Sequence, residues 1–209
     1  MMGAARPEGR MTEWLLRGFA LMAYGLAVSN LARGWWADTS RWTLLLLLLT
    51  EGYTLALVLI ARRAQVRDMA PLTVVATMYA AFFFVLLSPD GTRHWIPEWM
   101  GVALQVVGVA WQFAAKYTLG RSFGLLPAQR GVVVAGPYRL VRHPIYLGYL
   151  ISHIGFLLAN FSWQNTAVFA LLYAAQALRI VREEQVLGAS GEYRHYREQV
   201  RWRLLPGLF

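Results

Sequence analysis

The 209-residue sequence predicts an all-α, polytopic integral membrane protein with four full transmembrane helices, a C-terminal transmembrane helical hairpin, and both termini in the cytoplasm. Three observations predict this class. Only 15% of the residues are charged, whereas soluble domains carry about a quarter. Long apolar runs follow one another along the chain, and all but three of the 20 Lys and Arg residues fall on one side of these runs. Basic residues favour the cytoplasmic side of a membrane.

Four apolar runs each approach the roughly 20 residues that cross a hydrocarbon core of about 30 Å. The predicted spans are Trp14–Ala32, Trp42–Ala61, Met69–Leu87 and Trp99–Tyr117. A fifth apolar region, Ile145–Val181, is too long for one span and is interrupted by polar residues between positions 160 and 165. It is therefore interpreted as two helices joined by a turn. The predicted organisation is a flexible start at 1–11, four helices within 12–117, and a catalytic region at 118–209 with a loop, the hairpin and an interfacial tail.

The basic residues are explained by this topology, because only Arg33, Arg41 and Arg93 lie on the opposite side. Nucleic-acid binding is the other common meaning of a net charge of +9. Here no soluble domain is left to present the charge, so no nucleic-acid partner is expected and contact with membrane lipids is favoured. The chain has no cysteine and its histidines are scattered, so neither a thiolate site nor a bound metal is expected.

Polar residues inside the predicted spans need a reason, because ionisable groups are costly at membrane depth. Glu51 either marks a substrate path or is a structural carboxyl group that is neutral or hydrogen-bonded between helices. On the fourth span, Gln105, Gln112 and Lys116 fall on one helical stripe. That stripe either faces a hydrophilic cavity or makes interhelical hydrogen bonds. Gly101 and Gly108 on the same span permit close helix packing.

A second cluster lies where the apolar pattern stops, before the hairpin. Pro144 suits the first turn of a helix, so Arg139, Arg142 and His143 gather at a helix N-terminus that already carries partial positive charge. An anion such as a carboxylate or phosphate is favoured there. The alternative is a helix cap with basic flanks.

The far end of the hairpin carries acidic residues. Arg179 and Glu183 share a helix face with Gln176, and a hairpin returns Glu183 and Glu184 to the membrane side of Arg142 and His143. The two groups then form either a mixed-charge pocket or a solvated salt-bridge cluster worth about 0–1 kcal/mol per pair.

Three motifs together carry a family resemblance. Gly-Pro-Tyr-Arg-x-x-Arg-His-Pro-x-Tyr-x-Gly at 136–148, Arg-Glu-Glu-x-x-Leu at 182–187 and Tyr-x-x-Tyr at 193–196 resemble the isoprenylcysteine carboxyl methyltransferase and phospholipid methyltransferase-like family of integral membrane enzymes. The resemblance covers about the last 90 residues of the chain. It implies transfer of a methyl group from S-adenosylmethionine to a lipophilic acceptor, either an isoprenylcysteine-type carboxylate or a lipid amine.

The resemblance also implies roles for individual residues. Arg142 or Arg179 orients the acceptor, and Glu183 and Glu184 bind the polar end of S-adenosylmethionine. The cofactor is further enclosed by Tyr138, Arg139, His143, Pro144, Tyr146, Leu147 and Gly148.

Two other functions are compatible with parts of the sequence. Membrane reductases of the sterol reductase type share the Arg-His-Pro-x-Tyr-x-Gly signature and use NADPH, although they are longer. A non-catalytic lipid-binding or transport protein would use Glu51 as its site. The tail at 193–209 alternates basic with apolar residues and is interpreted as an interfacial anchor or a lid. The predicted location is the bacterial inner membrane, with the active site facing the cytoplasm.

Overall fold

A computed structural model of the chain describes residues 10–40, 42–61, 66–88, 93–123, 127–129 and 131–207. The helices in these ranges are α1 (Arg10–Ala37), α2 (Trp42–Ile60), α3 (Pro71–Phe82), α4 (Glu98–Leu119), α5 (Pro144–Ala159), α6 (Trp163–Leu187) and α7 (Gly191–Gln199). Short 3-10 helices cover Phe83–Leu86, Gly120–Ser122 and Gly136–Arg139. A two-residue antiparallel ladder pairs β1 (Val66–Arg67) with β2 (Ala128–Gln129).

The predicted helical content is found, but the predicted membrane architecture is wrong. Within the described ranges, no helix combines the length and the apolar character needed to cross a bilayer. At 1.5 Å per residue, α3 with 12 residues and α5 with 16 residues reach only about 18 and 24 Å, short of a hydrocarbon core of about 30 Å. The four full spans and the transmembrane hairpin are therefore not supported. The predicted flexible start lies largely outside the described residues.

The third predicted span differs most from the sequence interpretation. Its helix begins only at Pro71, which has no backbone N–H to lose at a first turn. It ends at Phe82 and tightens into the 3-10 helix that brings Phe83 and Phe84 into the core. The predicted break in the last apolar region is found, because α5 ends at Ala159 and α6 begins at Trp163.

Helices α4 and α5 pack with their backbones in close approach, as Gly101 and Gly108 predicted. A methyl group built on Gly108 would lie 2.5 Å from the Ser152 nitrogen and 2.7 Å from the Gly148 carbonyl oxygen. The facing positions on α5 are also glycines, Gly148 and Gly155, and a methyl group on either would meet α4 at similar distances. This close packing fixes α5 against α4, and α5 carries one wall of the cavity described next.

Candidate active site

A cavity of about 1160 Å³, counted with the open space at its mouth, lies between α2, α3, α5, α6 and α7. His143, Tyr146, Tyr149 and His153 recur along one face of α5 and line it. Ten helical residues rise about 15 Å, so the cavity follows most of α5. The outer end is the part lined by Tyr138, Arg142, His143, Glu183, Tyr193 and Tyr196. The inner end is the part lined by Glu51, Thr54, Thr77, Phe83, Tyr149 and His153.

At the outer end, Glu184 gathers three basic side chains around one buried carboxylate. Its Oε1 lies 3.2 Å from His143 Nε2 and 3.3 Å from Arg142 Nε, and its Oε2 accepts a 3.0 Å hydrogen bond from Arg203 Nε. Burial alone raises the pKa of Glu184, but the contacts with His143, Arg203 and Arg142 outweigh burial and lower the pKa to about 2. The carboxylate is therefore ionised at neutral pH and neutralises the basic start of α5.

The anion predicted at this helix N-terminus is thus supplied by the chain itself. Glu184 lies beside Arg142 and His143, where the carboxylate or phosphate of a ligand was expected from the sequence. Glu183, the adjacent carboxylate, instead lines the cavity with its side chain 32% exposed, and its Oε2 lies 4.0 Å from His143 Nδ1. Of the two predicted acidic residues, Glu183 is the one available to a ligand.

The chain after α7 completes the outer end. The backbone N–H groups of Arg142 and His143 donate to the carbonyl oxygens of Trp202 and Arg203 at 2.9 and 2.8 Å. This segment therefore lies directly over the start of α5 and brings the Arg203 guanidinium to Glu184.

Two tyrosines of α7 form part of the cavity wall. The Tyr196 hydroxyl donates to the Tyr138 carbonyl oxygen at 2.7 Å. The buried Tyr193 hydroxyl has no hydrogen-bond partner among the described residues. Burial raises the pKa of Tyr193, and the nearby carboxylates add to that rise, so its hydroxyl keeps a proton to donate to a ligand.

Sequence reasoning did not assign site roles to Tyr193, Tyr196, Trp202 or Arg203. Two signals were available: the Tyr-x-x-Tyr motif at 193–196, and the alternation of basic and apolar residues after Val200, which is typical of extended chain. An extended segment can place its backbone carbonyls against another segment, as this one does.

The remaining predicted site residues lie in different surroundings. Arg179 and Tyr146 line the cavity, with the guanidinium 5.5 Å from the ring centre and Nη1 donating to Gln176 Oε1 at 2.9 Å. Arg139 is exposed and Leu147 is half-buried. Pro144 is buried in the first turn of α5, and Gly148 faces Gly108 and Gln112 of α4. The cofactor roles of these residues stay predictions.

The inner end holds the other polar residues that the sequence singled out. Lys116 is completely buried, and its Nζ donates to Thr54 Oγ1 at 2.7 Å and lies 3.5 Å from Gln112 Oε1. The whole stripe of Gln105, Gln112 and Lys116 is buried and does not line the cavity. Of its two interpretations, hydrogen bonding between helices fits Lys116, which bonds to Thr54 of α2. Glu51, in contrast, is 4% exposed and lines the cavity.

No metal-ligand set accompanies these groups in the described ranges, where no three His, Cys, Asp or Glu side chains gather closely enough to hold an ion.

Comparison with known proteins shows which proteins this part of the chain is similar to. Residues 96–190, which carry α4, α5, all of α6 and the motifs at 136–148 and 182–187, match the phospholipid methyltransferase family. This part of the chain is similar to the phospholipid methyltransferase family and to isoprenylcysteine O-methyltransferases, which confirms the resemblance drawn from the motifs.

The similar curated proteins include two plant enzymes. The chain is 33% identical over 124 residues to protein-S-isoprenylcysteine O-methyltransferase A of Arabidopsis thaliana, covering 56% of this chain and 63% of that protein. It is 31% identical over 123 residues to a probable protein-S-isoprenylcysteine O-methyltransferase of Oryza sativa subsp. indica, covering 55% of this chain and 64% of the rice protein. The chain therefore spans less than two thirds of the length of either enzyme.

A third similar protein has a different name. The cobalt-zinc-cadmium resistance protein CzcN of Cupriavidus metallidurans is 33% identical over 123 residues, covering 56% of this chain and 52% of that protein.

Proposed function

We propose that the protein is an S-adenosylmethionine-dependent methyltransferase that acts on a lipophilic acceptor, either an isoprenylcysteine-type carboxylate or a lipid amine. One observation carries the proposal. Two of the three motifs that carry the family resemblance, some 40 residues apart in sequence, meet at one cavity, where His143 lies 3.2 Å from Glu184 and 4.0 Å from Glu183. Because that cavity extends along α5 from a charged end toward aromatic and apolar residues, it suits a polar donor and a lipophilic acceptor together.

The side chains at the outer end fit the cofactor. S-adenosylmethionine supplies a methyl group on a positively charged sulfur. Glu183 offers a partly exposed carboxylate to an ammonium group or ribose hydroxyls, and the Tyr193 hydroxyl is a buried donor that awaits a partner. Tyr146 and the inner-end Tyr149 also line the cavity, and aromatic faces of this kind attract a cation.

The proposed work of the protein is to position the reactants and exclude water. Glu184 holds Arg142, His143 and Arg203 in place, so the start of α5 and the segment after α7 form a rigid outer wall. Arg179 lines the cavity beside Tyr146 and can orient an acceptor carboxylate through its guanidinium fork. Neither task needs a covalent bond to the protein.

We further propose that the protein associates with a membrane, on the cytoplasmic face of the bacterial inner membrane. Large apolar side chains are exposed on several helices, including Trp14 at 66%, Val107 at 58% and Trp163 at 80%. Apolar surface of this extent favours contact with lipid. Exposed arginines on and after α7 are suited to anionic headgroups, which give the cytoplasmic leaflet its negative surface potential.

Ligand binding tests the proposed function. We expect S-adenosylhomocysteine to raise the melting temperature of the purified protein, since a ligand at a hundred times its Kd stabilises by about 2.7 kcal/mol. Glu183→Gln should abolish most of this shift because it removes the carboxylate that faces the cavity. Glu192→Gln is the matched control, because Glu192 is exposed on α7 and should keep the full shift.

Other outcomes of the same titration contradict the proposal. A shift with NADPH and none with S-adenosylhomocysteine indicates a membrane reductase. Stabilisation by lipids alone indicates a non-catalytic lipid-binding protein.

A further inference from the structure

The inner end of the cavity presents a carboxylate that no other part of the site uses. Glu51 is 4% exposed and lines the cavity from α2. Among the described residues, no side chain donates a hydrogen bond to it. Burying a carboxylate without hydrogen-bond donors is costly. Because Glu51 lines a cavity that can hold a ligand, a ligand group can supply the missing donor.

Lys116 is the cation whose charge acts on Glu51, but it does not line the cavity. Its Nζ is committed to Thr54 and Gln112 and lies 4.9 Å from the centre of the Tyr149 ring. A ligand that reaches the inner end therefore meets the Glu51 oxygens and not the ammonium group.

Two other titratable side chains of the inner end, His153 and Tyr149, are uncharged near neutral pH. Burial lowers the pKa of His153 to about 3, and the charge of Lys116 contributes to that fall, so the imidazole is neutral. Its Nδ1 lies 2.9 Å from the Tyr173 hydroxyl. Burial also raises the pKa of Tyr149, which keeps that phenol protonated. Among the inner-end residues named above, Glu51 is therefore the one whose side chain can present a negative charge to a ligand.

We propose that Glu51 binds the cationic end of the methyl acceptor and takes its proton, which makes a lipophilic amine the preferred substrate. The inference rests on the proposed methyltransferase function. An amine in its ammonium form has no lone pair and cannot attack a methyl group, whereas a carboxylate acceptor needs no base. A cavity-facing carboxylate at the acceptor end thus has a chemical task only for an acceptor that must lose a proton.

The proposed step balances in protons and electrons. The ammonium N–H bond breaks and its proton moves to a Glu51 oxygen, which leaves the nitrogen with its lone pair. That lone pair forms the new N–C bond as the S–C bond of the sulfonium donor breaks, and the sulfur keeps the electron pair. The products are a methylated ammonium, a neutral thioether and a protonated Glu51, which returns its proton to solvent.

The surroundings of Glu51 suit a base. Burial raises the pKa of Glu51 above that of an ordinary carboxyl group, and the charge of Lys116 partly opposes that rise. A general base works best when its pKa lies near the working pH.

Binding without any methyl donor tests the assignment of Glu51. We expect the wild-type protein to bind dodecylamine more tightly than laurate, a carboxylate with the same chain length, in isothermal titration calorimetry. Glu51→Gln should weaken dodecylamine binding by at least about tenfold, as expected for a lost charge-assisted hydrogen bond, and should not weaken laurate binding. Glu192→Gln, at an exposed position of α7, is the matched control for non-specific amine uptake. Equal amine affinity in the wild type and Glu51→Gln, or a wild-type preference for laurate, overturns the proposal.

A second variant separates a base from a structural carboxyl group. Lys116→Met removes the cation that favours the ionised form of Glu51, so the acid limb of the rate of amine methylation should move to higher pH. An unchanged limb overturns the role of Glu51 as a base. Stabilisation by S-adenosylhomocysteine should persist in Glu51→Gln. If S-adenosylhomocysteine stabilised neither the variant nor the wild type, the proposed function would be contradicted. The amine titration would still decide whether Glu51 binds an amine.

Discussion

Glu184 is the residue on which the outer end of the cavity depends. Its carboxylate contacts basic side chains from the start of α5 and from the segment after α7. The free energy of unfolding depends on pH when such a carboxylate has a lower pKa in the folded protein than in the unfolded chain.

Acid should therefore destabilise the protein through Glu184. The pKa of this carboxyl falls from its ordinary 4.5 to about 2 on folding, so between these values the unfolded chain binds more protons than the folded one. The contribution of Glu184 to stability is complete above about pH 4.5 and is lost as the pH falls toward 2. Urea unfolding at a series of pH values should show this loss in the wild type and a smaller one in Glu184→Gln.

Glu198→Gln controls for surface charge in that experiment. Glu198 pairs only loosely with His195, and both side chains are more than 70% exposed. This variant should follow the wild type within about 0.5 kcal/mol. An acid loss in Glu184→Gln equal to that of the wild type would show that Glu184 does not carry the effect.

The residues of the outer end were partly predictable from sequence. Arg142, His143, Glu183 and Glu184 could be paired because two successive helices joined by a turn return the chain to the same side. Arg203 could not be paired with them, since its position depends on backbone hydrogen bonds between the segment after α7 and the start of α5. Long-range backbone pairing of one short segment leaves almost no trace in composition or periodicity.

At the scale of elements, the α4–α5 contact is the most closely packed feature of the described chain. Glycines face glycines at two levels, Gly101 with Gly155 and Gly108 with Gly148. Spacing along α4 predicted this close packing, because Gly101 and Gly108 are two turns apart on one face. It could not predict that Gly148, which the family motif suggested as a cofactor contact, faces α4.

Adding a single methyl group at this contact should destabilise the fold. In Gly148→Ala, the new Cβ would lie 2.5 Å from the Gln112 side chain and 2.8 Å from the Gly108 carbonyl oxygen. Overpacking of this kind costs about 1–3 kcal/mol. Thermal unfolding followed by circular dichroism should show a clear drop in melting temperature.

Gly52→Ala provides the opposite case for comparison. Gly52 lies within α2, and a methyl group added to its Cα would have nothing within 4 Å, so alanine should stabilise by up to about 1 kcal/mol through helix propensity. If both alanine variants raised the melting temperature, the close approach of α4 and α5 would be refuted.

At the scale of the whole molecule, the apolar composition predicted that helices form but not how long they are. Apolar composition correctly predicted helices, because long runs rich in Leu and Ala favour them. It did not predict where they end. Pro71 and the 3-10 turn at Phe83–Leu86 shorten the third run, and interruptions of this kind decide whether an apolar run becomes one long helix.

Fractionation tests the proposed membrane association. We expect the protein to stay in the membrane pellet at about 1 M salt, where electrostatic attraction is screened beyond about 3 Å, and to be released by mild detergent. Exposed side chains such as Trp14, Val107 and Trp163 should hold it there through apolar contact.

A variant that replaces three exposed arginines by glutamine, Arg194, Arg197 and Arg201, isolates the electrostatic part of that attachment. It should pellet as the wild type does. Release of the wild type by salt alone would mean that charge, and not apolar surface, holds the protein on the bilayer.

The segment after α7 imposes an order on synthesis. The N–H groups of Arg142 and His143 find their acceptors on Trp202 and Arg203, which a ribosome adds some 60 residues later. A nascent chain that already contains all three motifs therefore still lacks part of the cavity wall. Translation that stalls before Trp202 should release a polypeptide that cannot retain the adenosyl ligand, so the proposed binding site is complete only once residues 202 and 203 have been added.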